Sequence, residues 1–275
     1  MSISFTKMSG AGNDFVVIDN RAGQIEASAE FVAKICSRRV SVGADGLLLV
    51  ESPEDPSEAD FRMRYFNADG GEAETCGNGA RCIARFAFLN GVADEKMHFE
   101  TLAGVYSAEM AGDNVLLGLG DPRDIRLDFP LELAEGEAVA SFANTGVPHA
   151  VRFMDEIDSV DVPAAGREMR YHEAFGQAGA NANFVRVESE QLLRTRTYER
   201  GVEDETLACG TGAVASAVTA ALRGKARPPV TVRVRGGFDL IVHFELNDGA
   251  ASDIRLEGDA RVVFTGELSK EAWSY

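Results

Sequence analysis

Two cysteines occupy matched positions in two segments of the chain that are similar to each other. One segment begins Cys76-Gly77-Asn78-Gly79-Ala80 and the other begins Cys209-Gly210-Thr211-Gly212-Ala213. Over the 16 residues that start at each cysteine, eight are identical at a constant offset of 133, and the same offset relates Tyr65 to Tyr198. A thiol kept at one point of a duplicated chain predicts two pseudo-symmetric halves whose sulfurs face one cleft.

Each cysteine is expected at the N-terminus of a helix, because a strand and a polar loop precede it and an apolar run follows. The helix dipole and the unpaired N–H groups there favour a thiolate, and such sites can lower a thiol pKa from ~8.5 to roughly 3.5–7.5. The backbone N–H groups of Gly77 and Asn78, and of Gly210 and Thr211, can also bind a carboxylate. Two such ends would hold one carboxylate between two thiols.

That arrangement suits inversion of a stereocentre. One group must remove a proton from one face of a carbon while a second group delivers a proton to the other face. A thiolate and a thiol can exchange these roles, and the N–H donors stabilise the carbanion. We therefore expect catalysis without a cofactor, and the five lysines show no pyridoxal phosphate context. A metal is not expected, since Cys76 and Cys82 lack zinc-ligand spacing.

Composition and charge limit the binding partners and the cellular compartment that are expected for this chain. The 275-residue chain is 45% hydrophobic and carries a formal charge of −17, which excludes nucleic acid as an expected partner. Neither an N-terminal apolar leader nor a membrane-length apolar run occurs in the sequence, so no membrane partner is expected and the cytosol is the predicted location. Four cysteines are too few for a disulfide framework, and Cys36 and Cys82 are predicted to be core residues.

Periodicity predicts a mainly β protein with few helices. The predicted strands are 3–7, 14–19, 47–51, 60–66, 97–101, 104–110, 114–119, 149–154, 183–188, 192–199, 230–235, 238–246 and 261–266. The predicted helices are 29–38, 80–89, 163–172 and 213–223. The second and fourth helices are apolar nearly all round, so each must be buried on nearly every side. The fold class is therefore α+β, with two pseudo-symmetric domains, each a curved, barrel-like, mostly antiparallel sheet wrapped round a buried central helix.

The duplication also predicts the domain boundaries. The Gly-Asp-Pro at 120–122 is typical of a crossing between halves. The N-terminal half that carries Cys76 is predicted to span 1–119 and, if the last strand returns to it, 262–275. The C-terminal half that carries Cys209 is predicted to span 120–261.

Motifs along the whole chain resemble those of the diaminopimelate epimerase family. They are Met8-Ser-Gly-Ala-Gly-Asn-Asp-Phe15, Phe66-Asn-Ala-Asp-Gly70, Cys76-Gly-Asn-Gly-Ala-Arg-Cys82, Gly146-Val-Pro-His149, Asn181-Ala-Asn-Phe184, Glu199-Arg-Gly201 and Cys209-Gly-Thr-Gly-Ala213. The resemblance implies cofactor-independent interconversion of LL- and meso-diaminopimelate, a step towards lysine and peptidoglycan precursors. The substrate would be a small molecule, and a homodimer is left open.

The same resemblance implies roles for individual residues. Cys76 and Cys209 would be the two bases, and His149 and Glu199 would bias their ionisation. Further residues would contact the substrate: Asn13 and Glu199 at the reacting ammonium, the Gly77, Asn78, Gly210 and Thr211 backbone at the reacting carboxylate, and Arg200, Asn67 and Asn181 at the distal amino-acid end. A planar guanidinium suits Arg200 to a bidentate grip on a carboxylate.

Two positions depart from the family pattern, and two other functions stay open. Gly46 stands where a Gln often contacts substrate, and Val147 stands where an Asn often precedes Pro-His. Side-chain contacts to substrate are therefore not expected at either position. A racemase for proline-like or other amino acids would have the same architecture, and a thiol redox sensor would use the same cysteine pair without stereochemistry.

Overall fold

The computed structural model describes residues 2–74, 76–247 and 249–275. The chain divides into two compact units: unit 1 is Met1–Leu117 with Gly258–Tyr275, and unit 2 is Gly118–Glu257. The domain boundaries predicted from the sequence lie after residues 119 and 261. No described helix combines the length and the apolar character needed to span a bilayer.

Strands outnumber helices throughout. The first part of the chain forms β1 (Ile3–Gly10), β2 (Asn13–Asp19), α1 (Ala29–Cys36), β3 (Gly46–Glu51), β4 (Phe61–Asn67), β5 (Glu72–Ala73), α2 (Gly77–Leu89), β6 (Lys96–Thr101), β7 (Gly104–Ala111) and β8 (Asn114–Gly118). The second part forms β9 (Arg123–Leu133), β10 (Gly136–Asn144), β11 (Pro148–Phe153), α3 (Val162–Arg170), β12 (Asn181–Ser189), β13 (Leu192–Glu199), β14 (Asp204–Thr206), α4 (Gly210–Leu222), β15 (Val230–Arg233), β16 (Asp239–Asn247) and β17 (Ala250–Asp259). The last strand is β18 (Arg261–Leu268), and short 3₁₀ turns occupy Glu173–Phe175 and Lys270–Ala272.

The two units share one strand order. In unit 1 the strands pair as β18-β1-β2-β3-β4-β6-β7-β8, with β5 on β4. In unit 2 they pair as β9-β10-β11-β12-β13-β15-β16-β17, with β14 on β13. The parallel pairs also correspond: β2–β3 and β4–β6 match β11–β12 and β13–β15. The prediction of a duplicated, mainly β fold is confirmed, with parallel pairs wherever a helix connects two strands.

A central helix lies against the sheet in each unit. Helix α2 packs on β1, β2, β3, β4 and β7, and α4 packs on β10, β11, β12, β13, β15 and β16. Every residue of α4 from Gly212 to Ala221 is buried. Strands contact each of these helices on several sides. A helix that is apolar all round is therefore buried and stable here.

The other two helices cover the opposite face of each sheet. In unit 1, Val32 and Ile35 of α1 pack on a core that includes Phe5 and Leu268, and the ring of Phe31 meets Trp273 edge-on at 5.6 Å. In unit 2, α3 packs on β12 and β13, and a Cβ at Gly166 would lie 2.3 Å from Tyr198 Cβ. Residues 258–275 therefore supply part of the core of unit 1.

Strands β5, β9, β10, β14 and β17 were not predicted, and β5 and β14 are only two and three residues long. Pro130 lies within β9, and Asp124 and Asp128 have positive φ angles of 55° and 51°. The register between β9 and β10 shifts twice, and β17 contains Asp253 with φ 52°. These irregularities break the period-two alternation on which strand prediction depends.

Candidate active site

Cys76 is the N-cap residue of α2, in extended conformation at φ −145° and ψ 116°. It is half-buried. Its sulfur donates to Oδ1 of Asn13 at 3.4 Å. The helix begins three residues earlier than predicted, because both glycines of the motif belong to its first turn and not to the preceding loop. The expected position of the thiol at a helix N-terminus is therefore found in unit 1.

The amide of Asn13 is oriented by a group of charged residues. Its Nδ2 donates to Oδ2 of Asp45 at 2.7 Å, and Oδ1 of Asp45 accepts from Arg38 at 2.8 Å. Since a carboxylate can only accept, the amide oxygen of Asn13 is the end that faces Cys76. An oxygen at that point accepts the hydrogen of a thiol.

A buried arginine lies beneath the first turn of α2. Arg81 is fully buried and donates to the carbonyl of Gly77 at 3.3 Å, to Oδ1 of Asn78 at 2.8 Å and to the carbonyl of Asp259 at 3.3 Å. Burial lowers the pKa of Arg81. Arg81 was not predicted as a site residue. Its counterpart at offset 133 is Val214, so this support exists in one half only.

Cys209 takes the matching place in unit 2. It is the N-cap residue of α4, extended at φ −122° and ψ 109°, and is 5% exposed. Its sulfur lies 3.5 Å from the hydroxyl of Thr211. The carbonyl of Thr211 accepts from the hydroxyl of Thr145 at 3.0 Å, which holds the first turn of the helix in place.

His149 is fully buried beside this turn. Its Nε2 lies 2.9 Å from the hydroxyl of Thr211, and Asn183 contacts its Nδ1 at 3.1 Å. Burial, followed by the charge of Arg200, lowers the pKa of His149 from 6.5 to about 3, so the imidazole is neutral at pH 7. Composition alone would place such a histidine at the surface. The counterpart of His149, traced through strand pairing from Glu72 and Glu205, is the buried aromatic residue Phe15.

Glu199 ends β13 near this network, and Arg200 follows it. Burial raises the pKa of the Glu199 carboxyl, and the nearby Thr206 hydroxyl acts in the opposite direction. The backbone N–H of Arg200 donates to Oδ1 of Asn181 at 2.6 Å, and Nδ2 of Asn181 donates to the carbonyl of Pro148 at 3.3 Å. Asn181 thus orients the chain at Arg200. Among the described residues, no side chain pairs with the guanidinium of Arg200.

Three more positions named from the sequence lie in unit 1. Asn67, at the exposed end of β4, accepts from the hydroxyl of Tyr65 at 2.6 Å. A Cβ at Gly46 would lie 2.5 Å from the carbonyl of Phe66, so no side chain fits there. By contrast, a Cβ at Gly77 would meet nothing within 4 Å, which leaves open space beside the first turn of α2.

Capping separates the four α-helices into two kinds. Ser28 caps α1 and Asp161 caps α3, each by accepting a backbone N–H of the first turn. Among the residues that the structure describes, no side chain caps α2 or α4, the two helices that begin after cysteines. The first-turn N–H groups of these two helices point out of the helix start, and no described side chain caps them.

The other two cysteines are buried, as predicted. Cys36 is 4% exposed and Cys82 is 0% exposed. Burial raises the pKa of Cys36 to about 12 and that of Cys82 still further. Within 2–74, 76–247 and 249–275, no three His, Cys, Asp or Glu side chains converge in a way that could hold a metal ion.

The fold of this chain is shared with solved structures of low sequence identity. A probable proline racemase from Agrobacterium radiobacter K84 superimposes with a TM-score of 0.70 at 16% identity, covering 99% of this chain and 94% of the other. A PhzF-family phenazine biosynthesis protein from Bacillus anthracis gives a TM-score of 0.71 at 16% identity, covering 98% and 99%. At such identities the likeness concerns the fold.

Sequence comparison identifies the family. The model of the diaminopimelate epimerase family matches residues 5–125 and 141–261, one match in each half of the chain. A diaminopimelate epimerase of Aquifex aeolicus is 43% identical, covering 99% of this chain and 100% of the relative. One from Archaeoglobus fulgidus is 42% identical, covering 98% and 97%. The chain belongs to the diaminopimelate epimerase family.

Proposed function

We propose that the protein interconverts LL- and meso-2,6-diaminopimelate, with Cys76 and Cys209 as a thiolate and thiol pair. The observation that carries this proposal is the repeated geometry of the two cysteines. Each is the N-cap residue of a central helix whose first turn has no side-chain cap among the described residues, in two units with the same strand order. Each helix start therefore offers a base and a set of carboxylate-binding N–H groups.

The reaction balances without a further reagent. One thiolate takes the α-hydrogen as a proton, and the electron pair of the broken C–H bond is delocalised onto the adjacent carboxylate. N–H groups of Gly77, Asn78, Gly210 and Thr211 stabilise that charge, and one such donor is typically worth ~3–4 kcal/mol in the transition state. The other thiol then delivers its proton to the opposite face of the carbon. For this, both sulfurs must reach one α-carbon during turnover.

Polar residues of both units would recognise the substrate. Asn13 and Glu199 would hold the reacting ammonium, with the orientation of Asn13 fixed by Asp45. The distal carboxylate would bind Arg200, with Asn67 and Asn181 beside it. Loss of the distal carboxylate would leave a polar site unpaired, which can lower the rate by orders of magnitude.

The test is incubation of the reduced protein with LL-diaminopimelate in D₂O. We expect meso-diaminopimelate by chiral chromatography and one deuterium at the inverted carbon by mass spectrometry. Lysine is the matched control substrate, because it is diaminopimelate without the distal carboxylate, and it should react far more slowly. Turnover of proline with none of diaminopimelate would instead indicate a racemase, and absence of exchange on every substrate would remove the proposal.

Matched cysteine variants test the roles of the two thiols. Cys76→Ala and Cys209→Ala should each lower turnover by at least roughly a thousandfold while the protein stays folded. Cys82→Ala, in the same helix as the first motif, should retain activity. Single variants with full activity would contradict a two-base reaction and favour a redox role. The homodimer and the cytosolic location stay predictions, and light scattering of the purified protein tests the first.

A further inference from the structure

The amide of Asn183 has a fixed orientation inside unit 2. Its Nδ2 lies 2.9 Å from the carbonyl of Ala150, and its Oδ1 lies 3.0 Å from the hydroxyl of Thr197. A carbonyl can only accept, so the nitrogen of the amide must face Ala150. The reversed amide would bury two oxygens against each other at that point, which costs free energy.

This orientation determines the tautomer of His149. The second hydrogen of the Asn183 Nδ2 is donated to Nδ1 of His149 at 3.1 Å. The Nδ1 atom is therefore an acceptor without a hydrogen of its own. Because the buried imidazole is neutral, its one hydrogen must be on Nε2.

The Nε2 hydrogen in turn determines the direction of the hydrogen bonds that the Thr211 hydroxyl makes. It is donated to the Thr211 hydroxyl across 2.9 Å, and that hydroxyl also lies 3.5 Å from the sulfur of Cys209. An oxygen that accepts from His149 keeps its own hydrogen for another acceptor. The sulfur of Cys209 is at a distance at which it can take that hydrogen.

We propose that Asn183 is a positioning residue for Cys209. By fixing His149 as the Nε2–H tautomer, it directs the hydroxyl hydrogen of Thr211 onto the Cys209 sulfur and so favours the thiolate over the thiol. The catalytic consequence rests on the proposed function, but the hydrogen-bond chain itself does not. A donor chain of this kind stabilises the charged form of the group at its end.

Among the described residues, this chain of hydrogen bonds leads to Cys209 and has no counterpart at Cys76. At Cys76 the neighbouring amide of Asn13 presents its oxygen, which accepts from a thiol and offers nothing to a thiolate. The matched position of His149 in unit 1 is Phe15, whose side chain has no donor. Cys76 is thus an internal reference for every measurement on Cys209.

Three neighbouring residues lie close to the same chain of hydrogen bonds. Nδ2 of Asn181 lies 3.4 Å from Nε2 of His149, a longer contact than the 2.9 Å to Thr211, and Pro148 accepts from that amide. The charge of Arg200 further disfavours protonation of His149. Glu199, at the end of β13, is the nearby acidic group whose pKa is raised by burial.

The first experiment observes the tautomer directly in the wild-type protein. ¹⁵N chemical shifts of the histidine rings distinguish a protonated Nε2 from a protonated Nδ1, and His149→Gln assigns the signal among the four histidines. We expect a neutral Nε2–H imidazole at pH 7. A neutral Nδ1–H imidazole or an imidazolium would overturn the proposal.

The second experiment measures the pH dependence of alkylation of each cysteine with iodoacetamide, by peptide mass spectrometry. Thr211→Val removes the hydroxyl and keeps the backbone N–H, and we expect the midpoint for Cys209 to rise by roughly one pH unit. Thr211→Ser should restore it. Asn183→Leu should raise the same midpoint although it does not touch the sulfur, and the double variant should add little to either single change. The Cys76 midpoint should stay unchanged.

Thr195→Val is the matched control. Thr195 is buried on β13, two residues before Thr197, and its hydroxyl has no hydrogen-bond partner among the described residues. Thr197→Val should shift the Cys209 midpoint and Thr195→Val should not. If Thr211→Val leaves the midpoint in place while wild-type protein epimerises diaminopimelate, the proposal for Asn183 fails and the function stands. If the shifts occur without epimerisation, the function fails and the chain of hydrogen bonds stands.

Discussion

The side chain of Asn183 lies directly against Gly212: a Cβ on that glycine would come within 2.5 Å of the amide oxygen of Asn183. The second glycine of the Cys-Gly-Thr-Gly motif is therefore needed for space, since its φ is not in the left-handed region. In the other motif, a Cβ on Gly79 would meet only the ends of flexible side chains, the nearest being Leu48 at 3.3 Å. The two motifs look alike, yet their glycines meet different neighbours.

Alanine at the two glycines should therefore have different effects. Gly212→Ala gains roughly 1 kcal/mol of helix propensity but should lose more through overpacking against Asn183, about 1–3 kcal/mol. Gly79→Ala has the same gain and a small steric cost. Urea unfolding should show Gly212→Ala less stable than wild type and Gly79→Ala equal or more stable. Equal stability of both variants would contradict the rigid packing of Asn183.

The four cysteines should differ in reactivity in the folded protein. Cys76 is half-buried, Cys209 is 5% exposed, and Cys36 and Cys82 are deeply buried with raised pKa values. At pH 8 we expect iodoacetamide to modify Cys76 first and Cys209 more slowly. Cys36 and Cys82 should react only on unfolding in urea. Early modification of Cys82 would be inconsistent with its burial within α2.

The ion pairs of Asp14 should make stability depend on acid pH. Burial opposes ionisation of Asp14, but hydrogen bonds from Arg38 and Lys7 outweigh it and lower the pKa from 3.8 to about 2. A carboxyl whose pKa is lowered by folding stabilises the protein above the unfolded pKa, and that stability is lost as pH falls towards 2. Asp14→Asn should cost about 2 kcal/mol at pH 7 and almost nothing at pH 2. A pH-independent difference in unfolding free energy would contradict this account.

His149 should act in a higher pH window. Its pKa is near 3 in the folded protein and near 6.5 in the unfolded chain, so below pH 6.5 the unfolded state binds an extra proton. Stability is thus full above pH 6.5 and falls from there towards pH 3. Over this window, stability of wild type should fall more steeply than that of His149→Gln, by up to ~1.4 kcal/mol per pH unit. Parallel curves from urea titrations would show that His149 is protonated in the fold.

The duplication could be read from the sequence because it leaves identical residues at one offset. Cys76 and Cys209 were placed at helix starts for that reason, and both are N-cap residues. The buried network could not be read in this way. Asn183 is one polar residue in a strand, and only strand pairing puts it opposite Thr197 and next to His149. Likewise, arginine is a residue type usually found at the surface. One acceptor of Arg81 is the carbonyl of Asp259, which lies 178 residues further along the chain.

The pairing of β18 with β1 has a consequence for biosynthesis. Unit 1 needs Gly258–Tyr275 as well as Met1–Leu117, and these last residues supply a strand and the ring of Trp273. A ribosome makes those residues only after it has made unit 2. The half that leaves the ribosome first is therefore the one that must wait longest to finish folding.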